Sequence, residues 1–158
     1  MRYFLFIVLF IVLSSCSTSV VEDTTNTPQD KIIWTGPKLT FTKMANTDAT
    51  NPQNQDQITP SVAITRGTSG GQIYNIKLES SPNKDASPLG TKWAIGNISN
   101  VDDLTFKSFR SAVGSPKDVV GKNLVLFIEQ EQIYLSVMFT SWGQGMSGSF
   151  SYERSTEN

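Results

Sequence analysis

The side chains able to do chemistry in this 158-residue chain are few in kind. There is no histidine, and there is one cysteine, Cys16. Those counts exclude a Ser-His-Asp triad, a Cys-His pair, a histidine-held metal, a cysteine-rich zinc site and an intramolecular disulfide. Acid–base work would fall to carboxylates, and glycoside hydrolysis needs two of them about 5–9.5 Å apart in a cleft. The candidates are Asp48, Asp56, Glu79, Asp85, Asp102, Asp103, Asp118, Glu129, Glu131 and Glu153. Simpler roles compete for several: Glu129 and Glu131 read as a hairpin turn, and Asp102-Asp103 as the start of a helix. Nothing in the spacing selects Tyr74, Tyr134 or Tyr152 to work with Arg66 in a lyase-like arrangement. Ser141, Ser147, Ser149 and Ser151 have no histidine to activate them, and Met146-Ser147-Gly148 is not a Gly-x-Ser-x-Gly elbow. No catalytic residue is assigned on these grounds.

Two loops remain. Asn46, Asp48, Asn51, Asn54 and Asp56 supply hard oxygen atoms within a short stretch, as calcium sites do. They lack the glycine and closing glutamate of an EF-hand, and Pro52 and Pro60 mark the region as turns, so no metal and no cofactor is expected. The second loop is Phe139-Thr140-Ser141-Trp142-Gly143-Gln144-Gly145-Met146-Ser147-Gly148. A Trp at a strand end over glycines offers a flat apolar face to a sugar or peptide, and the glycines let backbone come close. Arg66, beside Gly67, offers a planar cation for an acidic group. Trp142, Arg66, Gly143 and Gly145 are therefore the candidate ligand-binding residues, against the alternative that Trp142 plugs the core and Arg66 pairs with an acid.

The elements that must position these residues are strands. Ile32–Thr35, Lys38–Lys43, Ser61–Arg66, Gln72–Glu79, Thr91–Gly96, Asn123–Ile128, Ile133–Thr140 and Gly148–Arg154 are short and β-rich, and most are bounded by turn residues. Alternation puts Leu39 and Phe41 on one face of their strand. It does the same for Ile133, Leu135, Val137 and Phe139. Asn123–Ile128 is apolar on both faces and is expected to be central in a sheet. Phe106, Phe109, Ala112 and Val113 stand at helical spacing, predicting one short helix over 105–113 with Asp102 or Asp103 capping it and Gly114 ending it. The expected fold is all-β, an antiparallel sandwich of jelly-roll type, occupying residues 31–158.

The N-terminal end reads as an address. Residues 3–13 are an unbroken apolar run. As a helix it would rise about 16 Å, half of a hydrocarbon layer about 30 Å thick, which fits a signal-peptide core better than a span. Leu13-Ser14-Ser15-Cys16 follows at once and resembles the bacterial lipobox. The resemblance implies cleavage before Cys16, a diacylglyceryl group on its thiol and a further acyl chain such as palmitate on its amine. More than one chain is what stable anchoring requires. Ser17, where retention signals would favour Asp, implies the outer membrane. Residues 1–15 are then the signal peptide and 16–30 the lipidated Cys with a polar tether whose reach is about 20 Å.

Several blocks of the domain resemble a family of secreted or lipid-anchored domains common in Bacteroidota. They are Thr35-Gly36-Pro37 with Leu39–Lys43, Ile64-Thr65-Arg66-Gly67, and Phe139-Thr140-Ser141-Trp142 leading to Phe150–Thr156. The resemblance brings no activity with it. With 13 Lys+Arg against 14 Asp+Glu, no nucleic-acid partner is expected. The membrane is the expected partner through the lipid, with a glycan or an envelope protein as ligand. The expected role is a non-enzymatic outer-membrane module that binds or displays something in the envelope. A carbohydrate-binding or carbohydrate-active lipoprotein and a structural accessory protein are the alternatives.

Overall fold

The computed structural model describes residues 30–158. The apolar run 3–13, Cys16 and most of the tether lie outside the described residues. Nine strands follow: β1 Ile32–Trp34, β2 Lys38–Lys43, β3 Asp56–Gln57, β4 Ala63–Gly67, β5 Gly70–Asn75, β6 Thr91–Ile95, β7 Asn123–Ile128, β8 Ile133–Trp142 and β9 Phe150–Ser155. Among the described residues no helix is long and apolar enough to cross a membrane.

The strands make two unequal sheets, and the chain is an all-β sandwich. The larger sheet runs β2-β9-β8-β7-β6, with β1 added in parallel to the start of β8. All its other pairings are antiparallel. β8 is ten residues long, so one edge serves two partners: Ile133–Leu135 hold β1 and Val137–Trp142 hold β9. The smaller sheet is β3-β4-β5. As its two apolar faces require, β7 lies inside the large sheet, between β8 and β6.

Between the sheets lie Ile64 and Ile73 from the small sheet and Trp93, Leu124, Leu126, Leu135, Val137, Phe139, Phe150 and Tyr152 from the large one. Burying a side chain of this kind contributes about 1.5–3 kcal/mol, which is why alternation decides which way each strand faces. Helix α1, Phe109–Val113, closes one margin of the core through Phe109 and Val113.

Two expectations need correction. The helix is only Phe109–Val113, with Ser108 rather than an aspartate at its start, although Gly114 does end it. Lys107 pairs through its backbone with Trp93 of β6, so the chain there is extended. Phe106 consequently sits on the opposite side of the large sheet, against Phe127 and Tyr134. Asp102 and Asp103 instead belong to a 3-10 turn, Ile98–Asp103, and Asp102 pairs with Lys31. The strand expected over 72–79 stops at Asn75. The Asn75 amide accepts bonds from the Ala63 and Lys77 N–H groups and donates to the Ser61 and Leu89 carbonyls. That side chain substitutes for the ladder and leaves Leu78 exposed.

Candidate functional site

Strand alternation carries charged residues into the space between the sheets. On β9, Phe150, Tyr152 and Arg154 share the inward face, and on β4, Ile64 and Arg66 do. On β2, Lys43 is in phase with Phe41. All three cations are buried, Lys43 completely.

Arg154 is met by Asp56, which β3 delivers opposite Ile64. The guanidinium Nε donates to one carboxylate oxygen at 2.7 Å and Nη2 to the other at 2.9 Å, a bidentate pair. Tyr152 donates its hydroxyl to the same Asp56 at 2.6 Å. Burial, and then the Asp56 charge, push the Tyr152 phenol well above its ordinary pKa. Burial alone would pull Arg154 down, but the Asp56 hydrogen bonds and charge outweigh it and the net shift is upward.

Arg66 has no such acid. Its Nε donates to the Gly71 carbonyl at 2.8 Å, and its Nη1 donates to the carbonyls of Gly143 and Ser149 at 2.8 and 2.6 Å. Its guanidinium carbon lies 4.1 Å from the centroid of Trp142. Burial pulls its pKa down to about 10, so it stays charged at neutral pH. Trp142 is half-buried and packs its other contacts against Phe109, Phe139 and Phe150. Lys43 Nζ donates to the Thr47 carbonyl at 2.9 Å and hydroxyl at 3.2 Å. Burial, then the nearby Arg66 charge, lower its pKa, with Asp48 acting weakly the other way.

The backbone around these cations is packed to contact. A Cβ on Gly148 would collide with the Gly67 carbonyl, and one on Gly143 with the Ser147 and Ser149 hydroxyls. The Asn46 N–H donates to the Ser147 carbonyl at 2.7 Å. The structure thus gathers Trp142, Arg66 and Gly143 in one knot, with Gly145 at its exposed tip. It directs three guanidinium hydrogen bonds inward, to the chain's own carbonyls.

The remaining chemistry candidates are dispersed. Asp48 accepts from the Thr50 N–H and hydroxyl, which lower its pKa. Asn51 caps the turn at Gln53, and Asn54 donates to the Asp48 carbonyl. Glu79 accepts from the Asn75 and Leu89 N–H groups and from Ser87. Glu131 accepts from Ser61, and Glu129 lies near Lys92 at the hairpin. Tyr74 is buried on the outer side of β5, which raises its pKa, with Asp48 and Glu79 adding to the effect. Among the described residues no cluster of three or more acidic groups could hold a metal ion.

One concave surface was not anticipated. A groove of about 260 Å³ lies on the face of the large sheet turned away from the core. Lys38, Asn123, Ser136, Met138 and Glu153 line it from four strands, and Gly96-Asn97-Ile98 forms its wall. The wall is held by the Gly96 N–H donating to the Asn123 carbonyl at 3.0 Å and by Leu104 pressed so close that a Cβ on Gly96 would collide with it. Lys38 donates to Ser136 Oγ, which is 3.2 Å from Ser155 Oγ. The Glu153 side chain makes no ion pair or hydrogen bond among the described residues. Alternation could have shown that Lys38, Ser136, Met138 and Glu153 point away from the core. The strand order that makes them neighbours has no local signal.

No family model, no curated protein and no solved structure matches this chain.

Proposed function

We propose that this protein is an outer-membrane lipoprotein whose folded domain binds or displays a component of the cell envelope without transforming it. The observation that carries the reading is Cys16, the one cysteine of the chain, directly after the apolar run 3–13 in Leu13-Ser14-Ser15-Cys16. A diacylglyceryl group there gives the multiple buried chains that durable anchoring needs, since each CH₂ contributes about 0.8 kcal/mol. The domain is in keeping with that role. Asp56, Arg66, Tyr152 and Arg154 are engaged with one another or with backbone between the sheets. The open polar surface lies elsewhere, on the outer face of the large sheet.

Phase partitioning of Cys16→Ala tests the anchor. The wild-type protein goes to the detergent phase, and the variant either goes to the aqueous phase or stays unprocessed. A variant that is cleaved normally and still fractionates with membranes overturns the lipoprotein reading. For the binding role, the full chain is cross-linked in isolated envelopes. Recovery of one defined partner through the outer face of the large sheet is expected, and absence of any cross-linked component contradicts it.

The carbohydrate-binding alternative is favoured by the make-up of the groove, which combines carboxamides, a hydroxyl, separated opposite charges and a small apolar surface.

A further inference from the structure

We propose that the groove on the outer face of the large sheet is a binding site for one neutral sugar ring. The proposal rests on the reading of the domain as a binding module and assigns that module its ligand class and its residues.

Charge narrows the class first. Lys38 and Glu153 give the groove one charge of each sign. In the register Lys38 stands opposite Ser155 and Glu153 opposite Thr40, so the two charges are diagonal neighbours on adjacent strands. Diagonal positions are about 7–8 Å apart, and no Lys38–Glu153 ion pair forms. A phosphate or sulfate placed against Lys38 would meet the Glu153 carboxylate, and a polyamine placed against Glu153 would meet the Lys38 ammonium. A neutral ligand meets no repulsion at either end.

Hydrogen-bond capacity narrows it further. The Glu153 carboxylate only accepts and the Lys38 ammonium only donates, while the two carboxamides and the Ser136 hydroxyl do both. Asn97 uses its side-chain oxygen on the Ser99 N–H and keeps its NH₂ free, and Asn123 makes no side-chain bond among the described residues. Lys38 and Ser136 are already bonded to each other, and Ser136 to Ser155. The Glu153 carboxylate, the Asn97 NH₂ and the Asn123 carboxamide, unpaired among the described residues, are therefore the groups that suit adjacent hydroxyls, each of which donates once and accepts. Ile98 and Met138 supply an apolar strip for the C–H face of a ring. Ligand pockets commonly run to about 300–1,000 Å³, so a groove of about 260 Å³ suits a single ring rather than an extended chain.

The site is also built rigidly. Asn123, Ser136, Met138 and Glu153 come from β7, β8 and β9, three consecutive strands in the interior of the sheet, and Lys38 from β2 beside them. Ser136 is fixed by its own N–H, which donates to Ser155 Oγ at 2.9 Å.

The test is saturation-transfer NMR on the full chain in detergent, with methyl glycosides of glucose, galactose, mannose, rhamnose and N-acetylglucosamine as probes and neutral dipeptides as a parallel arm. The expected result is saturation of ring protons of at least one glycoside. That signal should fall at least tenfold in apparent affinity in Glu153→Gln and in Asn123→Ala, with the melting temperature unchanged. Because neither side chain makes a bond among the described residues, neither substitution threatens the fold. Saturation of no glycoside, or equal saturation in both variants, overturns the site. Saturation of dipeptides in place of glycosides overturns the ligand class while leaving the binding module standing. Failure of the module itself is read separately, in the envelope cross-linking.

Discussion

Two of the buried polar contacts between the sheets are built on opposite plans. In one, the small sheet brings an anion, Asp56, to a cation and a phenol of the large sheet, Arg154 and Tyr152. In the other, the small sheet brings the cation, Arg66, to carbonyls and an indole. The first is balanced by full charges. The second places two buried cations, Arg66 and Lys43, near each other and offsets them with backbone dipoles and a π face. Carbonyls can do this only if the chain turns them inward, so the second contact depends on backbone shape. Gly143 and Gly148 sit where that shape leaves no room for a Cβ. The paired contact is a matter of side-chain chemistry, whereas the unpaired one is a property of a loop.

The contrast predicts unequal costs of breakage. Asp56→Ala leaves the Arg154 charge buried without a partner, and loss of one member of a buried pair costs about 3–5 kcal/mol. Urea denaturation should show a loss in that range. Replacing Asp56 and Arg154 together with apolar residues should recover much of it, and equal losses in the single and double variants would contradict the pairing.

Trp142→Ala comes next. Large aromatic truncations in cores cost about 3–5 kcal/mol, and the half-exposed Trp142 belongs at the low end, near 3. The same variant removes the surface on which Arg66 rests. Thermal unfolding measures it. An unchanged melting temperature would return Trp142 to the pool of ligand contacts and count against its place in the scaffold.

A smaller effect separates the contacts by pH. The folded-state pKa of Lys43 lies below its ordinary 10.5. Between the two values the unfolded chain binds more protons than the folded one, so stability rises with pH in that window. The window is cleanest below about pH 9, before the Tyr74 and Tyr152 phenols, with an ordinary pKa of 10.0, ionise appreciably in the unfolded chain. Unfolding free energy should climb there for the wild type and flatten in Lys43→Met. An identical slope in both proteins would mean that burial does not disfavour the ammonium.

Much of this was written in strand phase. Lys43, Arg66 and Arg154 each occupy the apolar phase of a strand, after Phe41, Ile64 and Tyr152 respectively. A charge at such a position must find a partner inside, and that much is legible from alternation. Which partner is not legible. Arg154 meets Asp56 and Arg66 meets Ser149 across 98 and 83 residues of chain. Asp56, read locally, looks like one more oxygen in an Asn/Asp loop. The helix expected over 105–113 shows the opposite limit. Phe106 and Phe109 fit a helical period, yet the edge of β6 captures Lys107 and sends the two rings to different sides of the sheet. The groove was beyond reach for a topological reason: Lys38, Asn97, Asn123 and Glu153 become neighbours only once β2, β9, β8 and β7 take that order.

Arg66 holds the Gly143–Ser149 loop to the small sheet as part of the scaffold. Native-state hydrogen exchange of Arg66→Met beside the wild type tests it most directly. The Gly143 N–H, which donates to the Ser149 carbonyl at 2.9 Å, reports on the loop. Its protection should fall in the variant, together with a loss of about 1–3 kcal/mol in global stability from the carbonyls left unpaired. Wild-type protection at Gly143 with undiminished stability in Arg66→Met would contradict the account.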